Sequence, residues 1–146
     1  MSRIAARRIG KSFHLGSAYV DGDTMIVTGT NAWGGHQVQT FRSTDLANWK
    51  SSTALDLARH EIFNTSICKV DDQGAGNRYV LMFEIGAPPE ETGVAFTARF
   101  AESADLVTWS LTPAECVYAR DRYTAPHCLR YLEGYFYNFY LEAHEG

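Results

Sequence analysis

The chain has 146 residues, 45% of them hydrophobic, so it can bury one core and does not belong to the disordered class. A formal net charge of -4, with only a short basic run at residues 3–11, argues against nucleic-acid and anionic-membrane partners. No apolar run approaches the roughly 20 residues of a membrane helix, and the N-terminal residues lack the apolar segment of a secretory signal. We therefore expect a cytoplasmic protein with no membrane partner.

The residue types favour β-structure without a metal. Aromatic residues make up 13% of the chain and only four prolines are present, which suits a β-rich domain with many turns. Three cysteines, Cys68, Cys116 and Cys128, are an odd number and lack the spacing of metal ligands. This pattern predicts reduced thiols, and we expect no cofactor.

The predicted elements begin with a strand at 13–20, which ends at an Asp-Gly-Asp turn. A β-branched strand at 24–30 completes a hairpin. A third strand is predicted at 36–42, and a poorer fourth strand near 49–52. Together these strands form one four-stranded unit.

The same order of strands is predicted twice more along the chain. The second unit has strands at 63–70, 78–85, 94–101 and 115–119. A third unit begins with strands at 125–131 and 135–141. The segment 52–62 has a helix-compatible composition and is predicted to connect the first two units.

A repeated motif links the first two units. Residues 43–49 and 103–109 both fit Ser-x-Asp-Leu-x-x-Trp, with every fixed position displaced by 60 residues. Such a recurrence indicates one supersecondary unit used twice. Asp45 and Asp105 are predicted to cap their turns by accepting hydrogen bonds from backbone N–H groups, and the two tryptophans to pack within the units.

Four-stranded units that open with a hairpin and close on a turn tryptophan are typical of β-propeller blades. We therefore predict an all-β chain of about two and a half blades, in a single partial propeller domain at 1–146. Blade 1 is predicted at about 13–52, blade 2 at about 63–119, and half of blade 3 at about 123–142.

The repeated motif after a third strand resembles the blades of five-bladed propeller glycosidases, above all glycoside hydrolase family 43. Residues 125–137, Ala-Pro-His-Cys-Leu-Arg-Tyr-Leu-Glu-Gly-Tyr-Phe-Tyr, are similar to the family's blade opening of Gly-Pro-His, a short strand and Gly-Tyr-Tyr-Tyr. Residues 64–67, Asn-Thr-Ser-Ile, resemble its Asp-Pro-Ser-Ile opening. The resemblance extends over most of 13–142 but covers about half of such a propeller.

The resemblance implies an inverting glycosidase with two catalytic carboxylates, roughly 6.5 to 9.5 Å apart, at the starts of innermost strands. This chain departs from that pattern. His14 stands at the first opening, Asn64 replaces the aspartate base, and Thr124 replaces the glutamate acid. Neither an amide nor a threonine hydroxyl can replace a carboxyl group in this acid–base chemistry.

Glu84 and Glu142 are the best remaining candidates for catalytic acids. Each ends a strongly apolar second strand at an equivalent position of its unit. A carboxyl group at the rim of an apolar sheet can have a raised pKa suited to acid catalysis. The alternative is a solvated glutamate or one paired with arginine.

The expected substrate-binding residues are His14, Asn64, Trp33, Thr124 and His127. Trp33 lies beside two glycines in a loop, where it could stack on a sugar; the alternative is a loop tryptophan packed on the sheet. Four histidines, His14, His36, His127 and His144, invite a metal interpretation. They lack helix-type ligand spacing, so we predict no metal.

Two functions remain open from the sequence. The first is a glycosidase, an O-glycosyl hydrolase acting on an arabinoside, xyloside or galactoside derived from a polysaccharide. The second is a non-catalytic carbohydrate-binding or assembly module that kept the fold without the acids. An apolar edge after the last strand predicts a homo-oligomer, a dimer formed through exposed edge strands, which could complete the site. The alternative is that the chain is a piece of a longer protein.

Overall fold

The computed structural model describes residues 9–71 and 76–143. Within these ranges the protein is all-β, as predicted: eleven strands form three antiparallel sheets in chain order, and one short helix lies in a loop. No helix in the described part of the chain is long and apolar enough to cross a membrane. The described strands do not close into a ring.

Sheet 1 contains the first four strands in sequence order. They are β1 (Ala18–Asp21), β2 (Thr24–Thr30), β3 (Gln37–Ser43) and β4 (Lys50–Asp56). Alternation of side chains along β2 buries Ile26 on one face and leaves Met25 and Val27 partly exposed on the other. This alternation is what made the strand recognisable from sequence.

Sheet 2 follows with the order β5-β6-β7-β8, and a fifth strand also pairs with β7. Its strands are β5 (Glu61–Val70), β6 (Arg78–Ala87), β7 (Thr97–Ser103), β8 (Ser110–Leu111) and β9 (Val117–Tyr118). The helix α1 (Pro89–Thr92) lies between β6 and β7. Sheet 3 is a hairpin of β10 (Cys128–Leu132) and β11 (Tyr135–Phe139).

Two predicted elements differ from the structure in this part of the chain. The segment 52–62 is not a helical connection, because β4 continues to Asp56 and β5 begins at Glu61. Burial of Ala54 and Leu55 against sheet 2 stabilises the extended conformation there and overrides the local composition. The first strand is shorter than predicted, and a single bridge holds His14 to Thr30. The sequence also predicts a Gly-rich turn at 71–77, of which residues 72–75 lie outside the described residues.

The single outer strand predicted at 115–119 is also wrong in its extent. Two short strands, β8 and β9, share this edge of β7. A turn separates them, in which the Cys116 N–H donates to the Pro113 carbonyl oxygen. Because proline has no N–H to give to a sheet, it interrupts the pairing.

The repeated motif forms the same turn in both sheets. In the first copy the Ser43 Oγ accepts from the Leu46 N–H at 2.8 Å, and an Asp45 oxygen accepts from the N–H of residues 47 and 48 at 2.9 and 2.8 Å. The second copy has the same bonds from Ser103 and Asp105 at 2.9, 2.8 and 2.7 Å. The predicted capping role of both aspartates is therefore confirmed.

The core consists of two layers of apolar side chains on opposite faces of sheet 2. On one face Leu81, Phe83 and Ile85 pack against side chains of sheet 1, including Val38 and Leu55. On the other face Cys68, Val80 and Met82 pack against Leu129 of sheet 3. Sheet 2 therefore holds the other two sheets in position around the site.

Candidate functional site

Most predicted site residues lie at one end of the sheets, where the hairpins open. At this end His14 bridges Thr30 in sheet 1, and Thr124 bridges Glu142 in sheet 3. A bridge between Gly35 and residue 62 joins sheet 1 to sheet 2 at the same end. The topology therefore brings the three predicted blade openings together.

Glu84 is the centre of a buried polar network at this end. Its side chain is fully buried near the end of β6. One carboxylate oxygen accepts from the Asn64 side-chain amide at 2.8 Å, and the other accepts from the backbone N–H of His127 at 2.6 Å. Since His127 immediately precedes β10, this carboxylate joins sheet 2 to the start of sheet 3.

Hydrogen bonds fix the tautomer of the His127 ring. Its Nε2 lies 2.8 Å from the Thr124 carbonyl oxygen, which can only accept, so Nε2 carries the proton. Its Nδ1 accepts from the side-chain amide of Asn138 at 2.9 Å. Tyr140 stacks on the ring at a centroid distance of 5.4 Å. The His127 ring is therefore held in one orientation inside the protein.

The environment of Glu84 favours its protonated form. Burial raises the pKa of its carboxyl group above the ordinary value, against the opposing effect of the hydrogen bonds from Asn64 and His127. A protonated Glu84 can keep its partners if the Asn64 amide turns its oxygen toward the new O–H. The network can therefore accept either protonation state of Glu84.

Thr124 and Glu142 adjoin this network in different surroundings. Thr124 is fully buried, and its hydroxyl donates to the Phe96 carbonyl oxygen at 3.4 Å. Glu142 forms an ion pair with Arg122 at 3.0 Å, and about a fifth of its side chain is exposed. Of the two glutamates predicted as catalytic, one is thus enclosed and the other is paired with arginine.

An aromatic row crosses the same end of the molecule. We use this name for Trp33, Phe63, Phe96 and Tyr123. Their successive ring centroids are 5.9, 4.6 and 5.6 Å apart, and each pair meets edge to face. Trp33 is 70% exposed and Tyr123 39%, whereas Phe63 is buried. The row thus begins and ends at the surface and spans all three sheets.

Trp33 is held by a compact loop. The side-chain hydroxyl of Thr30 donates to the Ala32 carbonyl oxygen at 2.8 Å, and the Gly35 N–H donates to the same oxygen at 3.0 Å. Gly34 has a φ of 63°, and a Cβ at Gly35 would lie 2.2 Å from the Asn31 side-chain oxygen. Glycine is therefore required at both positions, and the loop presents the indole on a pre-formed turn.

No protein-family model, curated protein or solved structure matches this chain. Among the described residues, no group of three or more histidine, cysteine, aspartate or glutamate side chains is placed to hold a metal ion. His144, one of the histidines considered for a metal, lies outside the described residues.

The structure brings together Asn64, Glu84, Thr124 and His127 of the predicted site residues. Glu142 lies beside this group through its bridge to Thr124. His14 and Trp33 lie at the same end but outside the network, and both are exposed.

Sequence reasoning missed Asn138, which holds the His127 ring, and three rings of the aromatic row. A signal for two of these rings was present. Phe13, Phe63 and Tyr123 each stand one residue before a predicted opening residue, in all three repeats. No comparable signal points to Asn138, because its contact with His127 depends on the pairing of β10 with β11.

Proposed function

We propose that the protein binds a polysaccharide-derived carbohydrate of the arabinoside, xyloside or galactoside class at its aromatic end, as a non-catalytic module. One observation carries this proposal: Trp33 is 70% exposed and its indole is backed edge-on by the buried Phe63. Pyranose rings present C–H groups on one face, which pack on flat aromatic surfaces. A rigid, exposed indole provides such a surface at low entropic cost.

Polar groups beside the aromatic row suit sugar hydroxyls. The exposed residues His14 and Tyr123 lie at the same end as Trp33. Asn64 is half-buried, and its amide nitrogen is committed to Glu84. An apolar surface with a few oriented polar groups is the usual composition of a small-ligand site.

The surroundings of the two glutamates favour binding over hydrolysis. A general acid must reach the glycosidic oxygen within hydrogen-bond distance. Glu84 is fully buried and both of its oxygens already accept hydrogen bonds. Glu142 is engaged by Arg122. We therefore assign Glu84 a positioning role: it fixes Asn64 and the start of sheet 3.

Hydrolysis of the same class of glycoside is the second candidate function. The raised pKa of Glu84 favours it, because a raised pKa helps a carboxyl group to hold the proton that a general acid must donate. This function needs a movement of sheet 3 that exposes Glu84 to the substrate.

We also propose that the three sheets are blades of a partial propeller. The meander order of sheets 1 and 2, the identical Ser-x-Asp turns and the face-to-face packing support this arrangement. A cytoplasmic location is part of the proposal, supported by three unpaired cysteines.

Calorimetric titration with arabino-, xylo- and galacto-oligosaccharides tests the function, with nitrophenyl glycosides measured in parallel for turnover. We expect saturable binding of one class, no turnover, and a loss of affinity of about tenfold or more in Trp33→Ala. Val94→Ala is the control, because Val94 is an exposed apolar side chain outside the aromatic row. Turnover that Glu84→Gln abolishes would support hydrolysis instead, and absence of binding to every class would refute both functions.

A further inference from the structure

The repeated turn allows one position to be compared in two environments. Leu46 and Leu106 occupy the same place in the two turns, with φ values of 57° and 63° and the same hydrogen bond to serine. Leu106 is 7% exposed, whereas Leu46 is 54% exposed. Since the local conformation is the same, the difference comes from what packs against each side chain.

Leu106 is buried because sheet 2 packs on sheet 1. It lies in an apolar cluster with Ile26 of β2, Ile67 of β5 and Tyr79 of β6, with Tyr19 of β1 at the margin. The turn of sheet 2 therefore inserts its leucine against the β1–β2 hairpin of the preceding sheet. This contact is a template for how one repeat docks on another.

The face of sheet 1 that corresponds to the Leu106 side of sheet 2 points away from sheet 2. An open groove of about 530 Å³ lies there, and we call its apolar lining the Leu46 face. The face consists of the apolar side chains Ile9, Ala18, Met25, Val27, Leu46, Ala47 and Trp49. Ala18 and Val27 are paired in register, so both point away from sheet 2.

We propose that the Leu46 face docks on the β10–β11 hairpin of a second copy of this chain. In the contact between sheets 2 and 1, Leu106 packs on the cross-strand pair Tyr19–Ile26. This pair lies two pairs from the one that closes the β1–β2 turn. In sheet 3 the pair two positions from the turn is Arg130–Tyr137. Repetition of the template therefore sets Leu46 of one copy against Tyr137 of the other.

The hairpin has an exposed apolar face of the required kind. Leu129 points toward sheet 2, so its neighbours in the strands point away from it. On that outer face Tyr137 is 43% exposed and Phe139 61% exposed. Exposed aromatic side chains in such a group are typical of an interaction surface.

Charge also matches across the proposed contact. Arg130 lies exposed on the outer face of the hairpin, and Asp45 lies at the edge of the groove. Within the chain, an arginine of sheet 1 already reaches the turn of sheet 2, since Arg42 donates to the Asp105 carbonyl oxygen at 3.3 Å. An arginine on the hairpin would approach the turn that contains Asp45 in a similar way.

Each copy offers one Leu46 face and one hairpin, so the contact joins different surfaces of the two chains. Such a contact either closes into a ring or continues as an open chain of copies.

Sedimentation velocity of the full chain, from low-micromolar to submillimolar concentration, tests the proposal. We expect reversible association that Leu46→Asp and Tyr137→Asp each weaken by about thirtyfold or more, because either change places a charge in an apolar contact. Val107→Asp is the matched control. Val107 is an exposed apolar residue in the other copy of the turn, and its change should leave association unaltered.

A cross-link gives a second measurement that does not depend on charged variants. In a Cys116→Ser, Cys128→Ser background, Leu46→Cys in one chain and Tyr137→Cys in the other should form a disulfide between chains in mild oxidant. A wild type that stays monomeric over the whole range would overturn the proposal. Association that persists unchanged in both aspartate variants, with no cross-link, would also overturn it.

Discussion

Replacement of Glu84 tests whether its carboxyl group positions the site. Glu84→Ala removes the acceptors of the Asn64 amide and the His127 N–H and leaves a small cavity. Each buried donor left without a partner costs about 1–3 kcal/mol, so we expect a loss of about 3 kcal/mol in the free energy of unfolding. Glu84→Gln should cost less than about 1 kcal/mol, because glutamine resembles the protonated acid and a turned Asn64 amide satisfies it.

The same role of Glu84 predicts the direction in which the stability of the protein changes with pH. The pKa of Glu84 is higher in the folded protein than its ordinary value of 4.5, so the folded state binds the proton more tightly. The stabilisation from the protonated group is complete below the ordinary pKa and is lost as the pH rises through the folded pKa. Wild-type stability should therefore fall over this range, and Glu84→Gln should lack this component.

Urea denaturation at a series of pH values measures both effects. The alanine variant removes both acceptors, whereas the glutamine variant removes only the titrating group. Equal losses in these two variants at every pH would refute the positioning role. So would an unchanged fall of stability with pH in Glu84→Gln.

Two further predictions concern the repeated turn. In urea denaturation at low protein concentration, Leu106→Ala should lower the free energy of unfolding by about 2–3 kcal/mol. Leu46→Ala should lower it by less than about 0.5 kcal/mol. Equal losses in the two variants would contradict the packing described for Leu106. Hydrogen bonds from the Thr108 and Val107 N–H groups hold the pKa of Asp105 down to about 2, so its stabilisation is present above its ordinary pKa of 3.8 and is lost as the pH falls toward 2. A carbon-13 NMR titration of the side-chain carboxyl groups should show this low value in the wild type, and a midpoint near 3.8 would exclude the capping bonds.

The strands and repeated turns could be predicted because their causes are local. Alternation along 24–30 reproduces β2 without error, and the Ser-x-Asp turn depends on hydrogen bonds within seven residues. The segment 52–62 was assigned wrongly because burial of Ala54 and Leu55 by another sheet outweighs local preference. The same reasoning explains the split outer strand, since the turn at Pro113 depends on which residues reach β7.

The site was harder to predict than the fold because its contacts are long-range. The bond from His127 to Glu84 spans 43 residues, and the contact of Trp33 with Phe63 crosses two sheets. The sequence identified both glutamates as strand-end acids, but burial of the first and the Arg122 pairing of the second depend on tertiary structure. The catalytic assignments of Glu84 and Glu142 stay predictions.

The proposed binding of sugar on Trp33 is tested most directly by the side-chain indole N–H resonances. The chain has three tryptophans, so a nitrogen-15 spectrum resolves one indole signal for each, assigned through single replacements. Titration with the binding oligosaccharide should shift the Trp33 signal progressively and leave those of Trp49 and Trp109 in place. Saturable binding that shifts Trp49 or Trp109 but not Trp33 would contradict the account.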